Sequence, residues 1–172
     1  MEGNAAKAAG GAQFTQVAWV VSDIEAAEKF FRETMGIEGF VRTLNLRAKE
    51  FEGTYYGESS DAEWHVSIVY SGGSFIELIQ PVSGRSIFQD YLENNPAGGV
   101  QHIAYSMPVA DLDKAVSELV KKGYPVITSL NMPVAKILFF DTYKAMGVVT
   151  EIIGITKAGE AFVQNLKIGA KS

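Results

Sequence analysis

Apolar and polar side chains alternate between residues 14 and 21, Phe-Thr-Gln-Val-Ala-Trp-Val-Val, which is the period of a strand. That period places Phe14, Gln16, Ala18 and Val20 on one face. At Ser22-Asp23, an N-cap signal, the spacing lengthens. Ile24, Ala27, Phe30 and Phe31 then form one stripe of a helix that Gly36 ends. Extended segments are predicted over residues 40–46, 51–56, 63–70 and 74–80. Gly72-Gly73 joins the last two as a hairpin, and Pro81 closes the final strand. Residues 82–97 form a connector that holds a short helix over 87–94 and ends in Asn95-Pro96.

The pattern then begins again. A strand over 100–106 enters through Gly98-Gly99, and a helix opens at Ala110 and closes at Gly123. Strands follow over 125–130, 135–141 and 148–153, and a short amphipathic helix over 161–166. Laying Gln16-Val17-Ala18-Trp19 over His102-Ile103-Ala104-Tyr105 brings the helix-closing glycines into register within one residue. Phe75-Ile76-Glu77-Leu78-Ile79 falls on Val149-Thr150-Glu151-Ile152-Ile153. Self-similarity on this scale means two copies of one unit. The expected fold is α+β: two tandem βαβββ modules whose sheets join into one curved, half-closed mixed sheet with the helices outside. Residues 1–12 read as a flexible leader, 13–81 as the first module, 82–97 as the connector, 98–155 as the second module and 156–172 as a tail.

Composition narrows the partners. With 172 residues, 47% hydrophobic and 20% charged, the chain has the make-up of an ordinary globular domain. A net charge of −5 argues against nucleic acid, which favours a basic face. No apolar run reaches the length of a membrane span, and no signal-peptide pattern opens the chain, so the cytoplasm is the default location. With no cysteine, a metal site would use histidine, carboxylates and amides.

Such a set exists. The repeat puts Gln16 and His102 at equivalent points of the two first strands, and Glu77 and Glu151 at equivalent points of the two last strands. Each glutamate lies among apolar neighbours, where an ionised carboxylate is costly unless paired or metal-bound. One His, two Glu and one Gln suit a hard or borderline divalent ion. An apolar pocket inside the sheet would draw on Trp19, Trp64, Phe75, Phe139 and Phe140. Arg42, Arg47 and Arg85 read as solvated charges.

These residues carry a resemblance. The segments Gln16 to Ile24, Phe75 to Pro81, Gly99 to Tyr105, Phe139 to Thr142 and Gly147 to Glu151 resemble the vicinal oxygen chelate superfamily. That superfamily includes glyoxalase I, methylmalonyl-CoA epimerase, extradiol dioxygenases and bleomycin-resistance-type binding proteins. The resemblance implies one divalent ion per chain (Zn, Ni, Co, Mn or Mg) held by Gln16, Glu77, His102 and Glu151. It implies a small carbonyl substrate of the 2-oxo thiohemiacetal or acyl-CoA type, and a homodimer that uses the apolar faces of the first strands. The ligand set is similar to that of glyoxalase I, whereas the connector from Tyr91 to His102 is more similar to the epimerase.

Glutamine at position 16, in place of histidine, speaks against a dioxygenase. The implied activity is that of a metal-dependent isomerase, epimerase or carbon–sulfur lyase. It would move a proton on the carbon beside a metal-bound carbonyl through an enediolate. Glu151 would be the base. His65 stands near the strand position where the epimerase has a second base, with Ser67 or Glu63 as the alternative neighbour, and histidine is the residue type suited to a proton shuttle. The rival reading is a protein that sequesters a small molecule in the same cup without chemistry.

Overall fold

The computed structural model describes residues 11–169. Strand β1 (Gln13–Val20) runs into helix α1 (Ile24–Met35), which starts where the Asp23 carboxylate accepts the Ala26 N–H. It ends at Gly36, whose φ is 66°. Strand β2 (Val41–Arg47) follows, then a short 3-10 turn over Ala48–Phe51 and a hairpin of two-residue strands, β3 (Thr54–Tyr55) and β4 (Glu58–Ser59). Strands β5 (Glu63–Ser71) and β6 (Ser74–Ser83) complete the first module, and α2 (Ile87–Asn94) leads to the second. There β7 (Gly99–Pro108), α3 (Leu112–Lys121), β8 (Val126–Asn131) and β9 (Ala135–Phe140) precede one short turn of helix, α4 (Tyr143–Met146). Strand β10 (Val149–Ile155) and helix α5 (Lys157–Gly169) end the described chain.

All ten strands form one sheet in the order β2-β5-β6-β1-β7-β10-β9-β8-β3-β4. Within each module the first strand is parallel to the last, β1 to β6 and β7 to β10. The two first strands meet antiparallel at the centre. The sheet curls into the expected half-barrel, with α1 and α3 on its convex side. The two first strands pair edge to edge within the chain, and Ala18, Val20 and Ala104 are fully buried. Among the described residues no helix is long and apolar enough to cross a membrane.

Five expectations need correction. Residues 51–56 are not a strand of the first module. Glu52 and Tyr56 take positive φ, and the two-residue strand β3 pairs with β8, at the far edge of the sheet. Pro81 does not end β6, because a register shift opposite Glu63 and Trp64 absorbs the missing N–H. Phe14 leaves the face of Gln16, since Thr15 is an extra residue in a bulge, and Phe14 packs edge-on against Tyr105. Ala12, expected in the flexible leader, is fully buried beside Met107 and Leu112. The rest of that expectation, residues 1–10, lies outside the described residues. The tail helix also runs further than residues 161–166.

On the convex side, Arg42 of β2 pairs with Glu28 of α1 through two nitrogens at 2.9 and 2.8 Å, and the buried Ser67 hydroxyl donates to Glu28 at 2.6 Å. Hydrogen bonds from Arg42 hold the Glu28 carboxyl below its usual range, against the opposing effect of burial. Because the folded value is depressed, this contribution is present above the unfolded pKa and lost as pH falls through the folded one. Glu28→Gln is expected to cost about 2 kcal/mol in urea denaturation at pH 7. The gap from the parent protein should close in acid, and a gap that persists there would remove the ionic origin.

Candidate metal centre

The four polar residues singled out by the repeat come from four adjacent strands. Ala18 on β1 lies between Glu77 of β6 and His102 of β7, and Ala104 on β7 lies between Gln16 of β1 and Glu151 of β10. Both alanines are fully buried, and their small side chains leave the floor clear for the four longer ones to converge. Gln16 Nε2 is 2.8 Å from Glu77 Oε2 and 3.2 Å from Glu151 Oε2. His102 Nε2 is 3.3 Å from the same oxygen of each glutamate. Atoms bound at about 2.1 Å to one centre are spaced roughly this far apart.

His102 has no exposed surface, and its Nε2, though near both carboxylates, is hydrogen-bonded to neither. Burial alone would lower its pKa. The facing Glu151 and Glu77 carboxylates outweigh that and raise it to about 9. Burial pushes the Glu151 carboxyl above its usual range, Glu77 adds to the rise, and His102 opposes it. A buried imidazole nitrogen without a hydrogen bond, two carboxylates and an amide form a donor set that fits a divalent cation. Turning the Gln16 amide would exchange its donor for an acceptor oxygen at the same place.

The other His102 nitrogen is engaged by a residue that the sequence did not reveal. Nδ1 lies 2.6 Å from the Gln101 amide oxygen, although successive strand residues normally point to opposite faces. The explanation is a bulge. The pairing of β7 with β1 steps from Val100 to His102 and leaves Gln101 unmatched, so its side chain stays beside the imidazole. An acceptor at Nδ1 keeps a proton there, so the Nε2 proton is the one that a metal ion would displace. A related bulge at Thr15 precedes Gln16 in the first module. Gly98 sets the register of this pair: its φ is 71°, and a Cβ there would lie 2.6 Å from the Val20 carbonyl oxygen. Gln101→Leu is expected to weaken divalent-ion affinity roughly 10- to 100-fold. Isothermal titration of the dialysed variant would show it, and parent-like affinity would separate Gln101 from the site.

His65 is not brought to this cluster. Trp64, Val66 and Ile68 face the concave side, so His65 turns outward with Ser67, and its Nδ1 accepts the Asn45 N–H at 3.1 Å. A second base at His65 does not fit that placement. Of the aromatic residues expected in the pocket, Trp64, Phe75 and Phe139 line it. Trp19 packs on Phe31 of α1, and Phe140 lies in the convex-side core. The three arginines are not free charges: Arg42 holds Glu28, Arg47 faces Glu63 and Arg85 lies over the Tyr55 ring. The concave side encloses a cavity of about 240 Å³, with Gln16, Glu77 and Glu151 in its wall.

Comparison with known proteins agrees with this architecture. Residues 15–139 match the family model of the glyoxalase/bleomycin resistance protein/dioxygenase superfamily. An ethylmalonyl-CoA/methylmalonyl-CoA epimerase of Cereibacter sphaeroides is 31% identical over 120 residues, which cover 68% of this chain and 75% of that one. Among solved structures, a Streptomyces coelicolor methylmalonyl-CoA epimerase variant in complex with 2-nitronate-propionyl-CoA superposes with a TM-score of 0.61 at 24% identity. It covers 85% of this chain and 94% of the other. The Mycobacterium tuberculosis methylmalonyl-CoA epimerase gives a TM-score of 0.59 at 17% identity, over 87% of this chain and 91% of the other.

Proposed function

The chain belongs to the glyoxalase/bleomycin resistance protein/dioxygenase superfamily, and on that premise we propose that it is a metal-dependent isomerase or epimerase that moves a proton on the carbon beside a substrate carbonyl. The observation that carries this reading is the convergence of Gln16, Glu77, His102 and Glu151 on one point in the wall of an apolar cavity. A sequestering protein needs the cavity but has no use for four converging donors.

Gln16, Glu77, His102 and Glu151 would hold the ion. When bound, a divalent cation supplies polarisation of the carbonyl and stabilises the negative charge that develops as the neighbouring C–H is broken. Glu151 takes that proton. Its carboxyl is buried and raised above the ordinary range, which brings its basicity closer to that of the carbon acid. It can return the same proton to the adjacent carbon, as isomerisation requires, whereas inversion at the same carbon needs a proton donor on the opposite face of the substrate, a place that His65 does not occupy. Gln101 holds the His102 ring in place, and the ring edge of Phe139, 5.1 Å from it centre to centre, keeps water off the site. The substrate of the Cereibacter relative makes acyl thioesters the first class to try.

The test is solvent-deuterium exchange. Protein loaded with a divalent ion should introduce deuterium beside the carbonyl of an acyl-CoA or 2-oxo compound, and chelation should stop it. Ion-independent exchange, or none across both classes, would overturn the reading.

A further inference from the structure

The cavity is closed by a part of the chain that lies beyond the residues matched by the family model. Helix α5 leaves the end of β10 and crosses the concave side towards β5, where Lys167 Nζ stands 5.3 Å above the Tyr70 ring. Its start is fixed. The Thr156 hydroxyl donates to the Pro133 and Val134 carbonyl oxygens, at 3.0 Å each, and accepts the Gly159 N–H at 3.1 Å. A Cβ at Gly159 would lie 2.0 Å from the Val134 oxygen, so only glycine lets the helix sit this low. The helix turns Phe162, Val163 and Leu166 into the cavity.

The wall they complete is unevenly built. Gln16, Glu77 and Glu151 are held together by hydrogen bonds in one part of the wall, and the remainder, Leu130, Ile137 and Phe162 among it, is almost wholly apolar. Among the described residues, the only ionisable side chains in the wall are those two glutamates. A second anionic group on a ligand would find no lysine or arginine there, and an unpaired buried charge is costly. An apolar group, by contrast, gains by leaving water.

We propose that the cup with its α5 cover is a binding site for a substrate whose carbonyl carries a hydrocarbon chain longer than methyl, and that Phe162 and Leu166 set the preferred length. The assignment deepens the proton-transfer reading by naming its substrate class. Any charged carrier group would lie outside the cup, and glutathione lodged within it would leave its two carboxylates without partners.

Binding can be tested apart from chemistry. In a Trp19→Phe background Trp64, which lines the cavity, is the only tryptophan, so its emission reports occupancy. Chelator-treated protein would be titrated with methyl ketones from butanone to decanone, and with glutathione. Affinity is expected to rise about fourfold per methylene until the cavity is full. Leu166→Ala and Phe162→Ala should each weaken the longer ketones at least severalfold and leave butanone unchanged, whereas Ile168→Ala, outside the wall, should match the parent. A flat series, or glutathione bound as tightly as octanone, would overturn the assignment even if a helix variant failed to fold. The titration uses no metal and no turnover, so failure of the proton-transfer reading would leave its outcome intact.

Discussion

Replacing His102 with alanine is expected to abolish tight divalent-ion binding. Protein purified without added ions and dialysed should carry one ion per parent chain by elemental analysis, and the variant none. The imidazole supplies the only nitrogen donor among the four residues when Gln16 presents its oxygen. Its Nε2 lies 3.3 Å from both glutamates, so its loss leaves two carboxylates facing across a void. The loss should exceed the roughly 10- to 100-fold effect of removing a supporting residue such as Gln101. A folded parent protein that holds no ion would refute the metal centre itself.

Glu151→Gln is expected to lower solvent-deuterium exchange by roughly 10²- to 10⁴-fold, the range associated with a positioned acid or base. The amide keeps the size of the carboxylate and one oxygen donor but cannot take a proton. The informative comparison is therefore with Glu77→Gln at equal ion occupancy. Glu151 is almost fully buried and its carboxyl is raised, whereas Glu77 retains some contact with the outside of the site. Exchange that persists in an ion-loaded Glu151→Gln protein would remove Glu151 as the base.

The four converging residues were legible in the sequence because the fold is a duplication. Equivalent positions of the two modules fall on adjacent strands, so a repeat in sequence becomes a convergence in space. The helices were legible through their ends, as Asp23 and Gly36 show. Features that depend on one extra residue were hidden. The bulges at Thr15 and Gln101 leave no mark in periodicity, yet one turns Phe14 to the other face and the other delivers the acceptor for His102. His65 was misplaced for a related reason, since strand parity is fixed only once Trp64 is known to face inward. The role of α5 was hidden too, because a face that covers a cavity has the same amphipathic pattern as one that packs on a core.

The hairpin formed by β3 and β4 also fixes an order of events in folding. Each of its strands has two residues, too few to stand alone in water, and its partner β8 lies in the other module, with Thr54 paired to Ser129 and the Tyr56 N–H given to the Ile127 carbonyl at 2.7 Å. Contacts so distant in sequence form only after long loops have closed. During synthesis the first module therefore emerges with a segment whose partner has not yet been made, and it completes its own fold only when the second module arrives. Though each copies the other in plan, neither half is a finished protein.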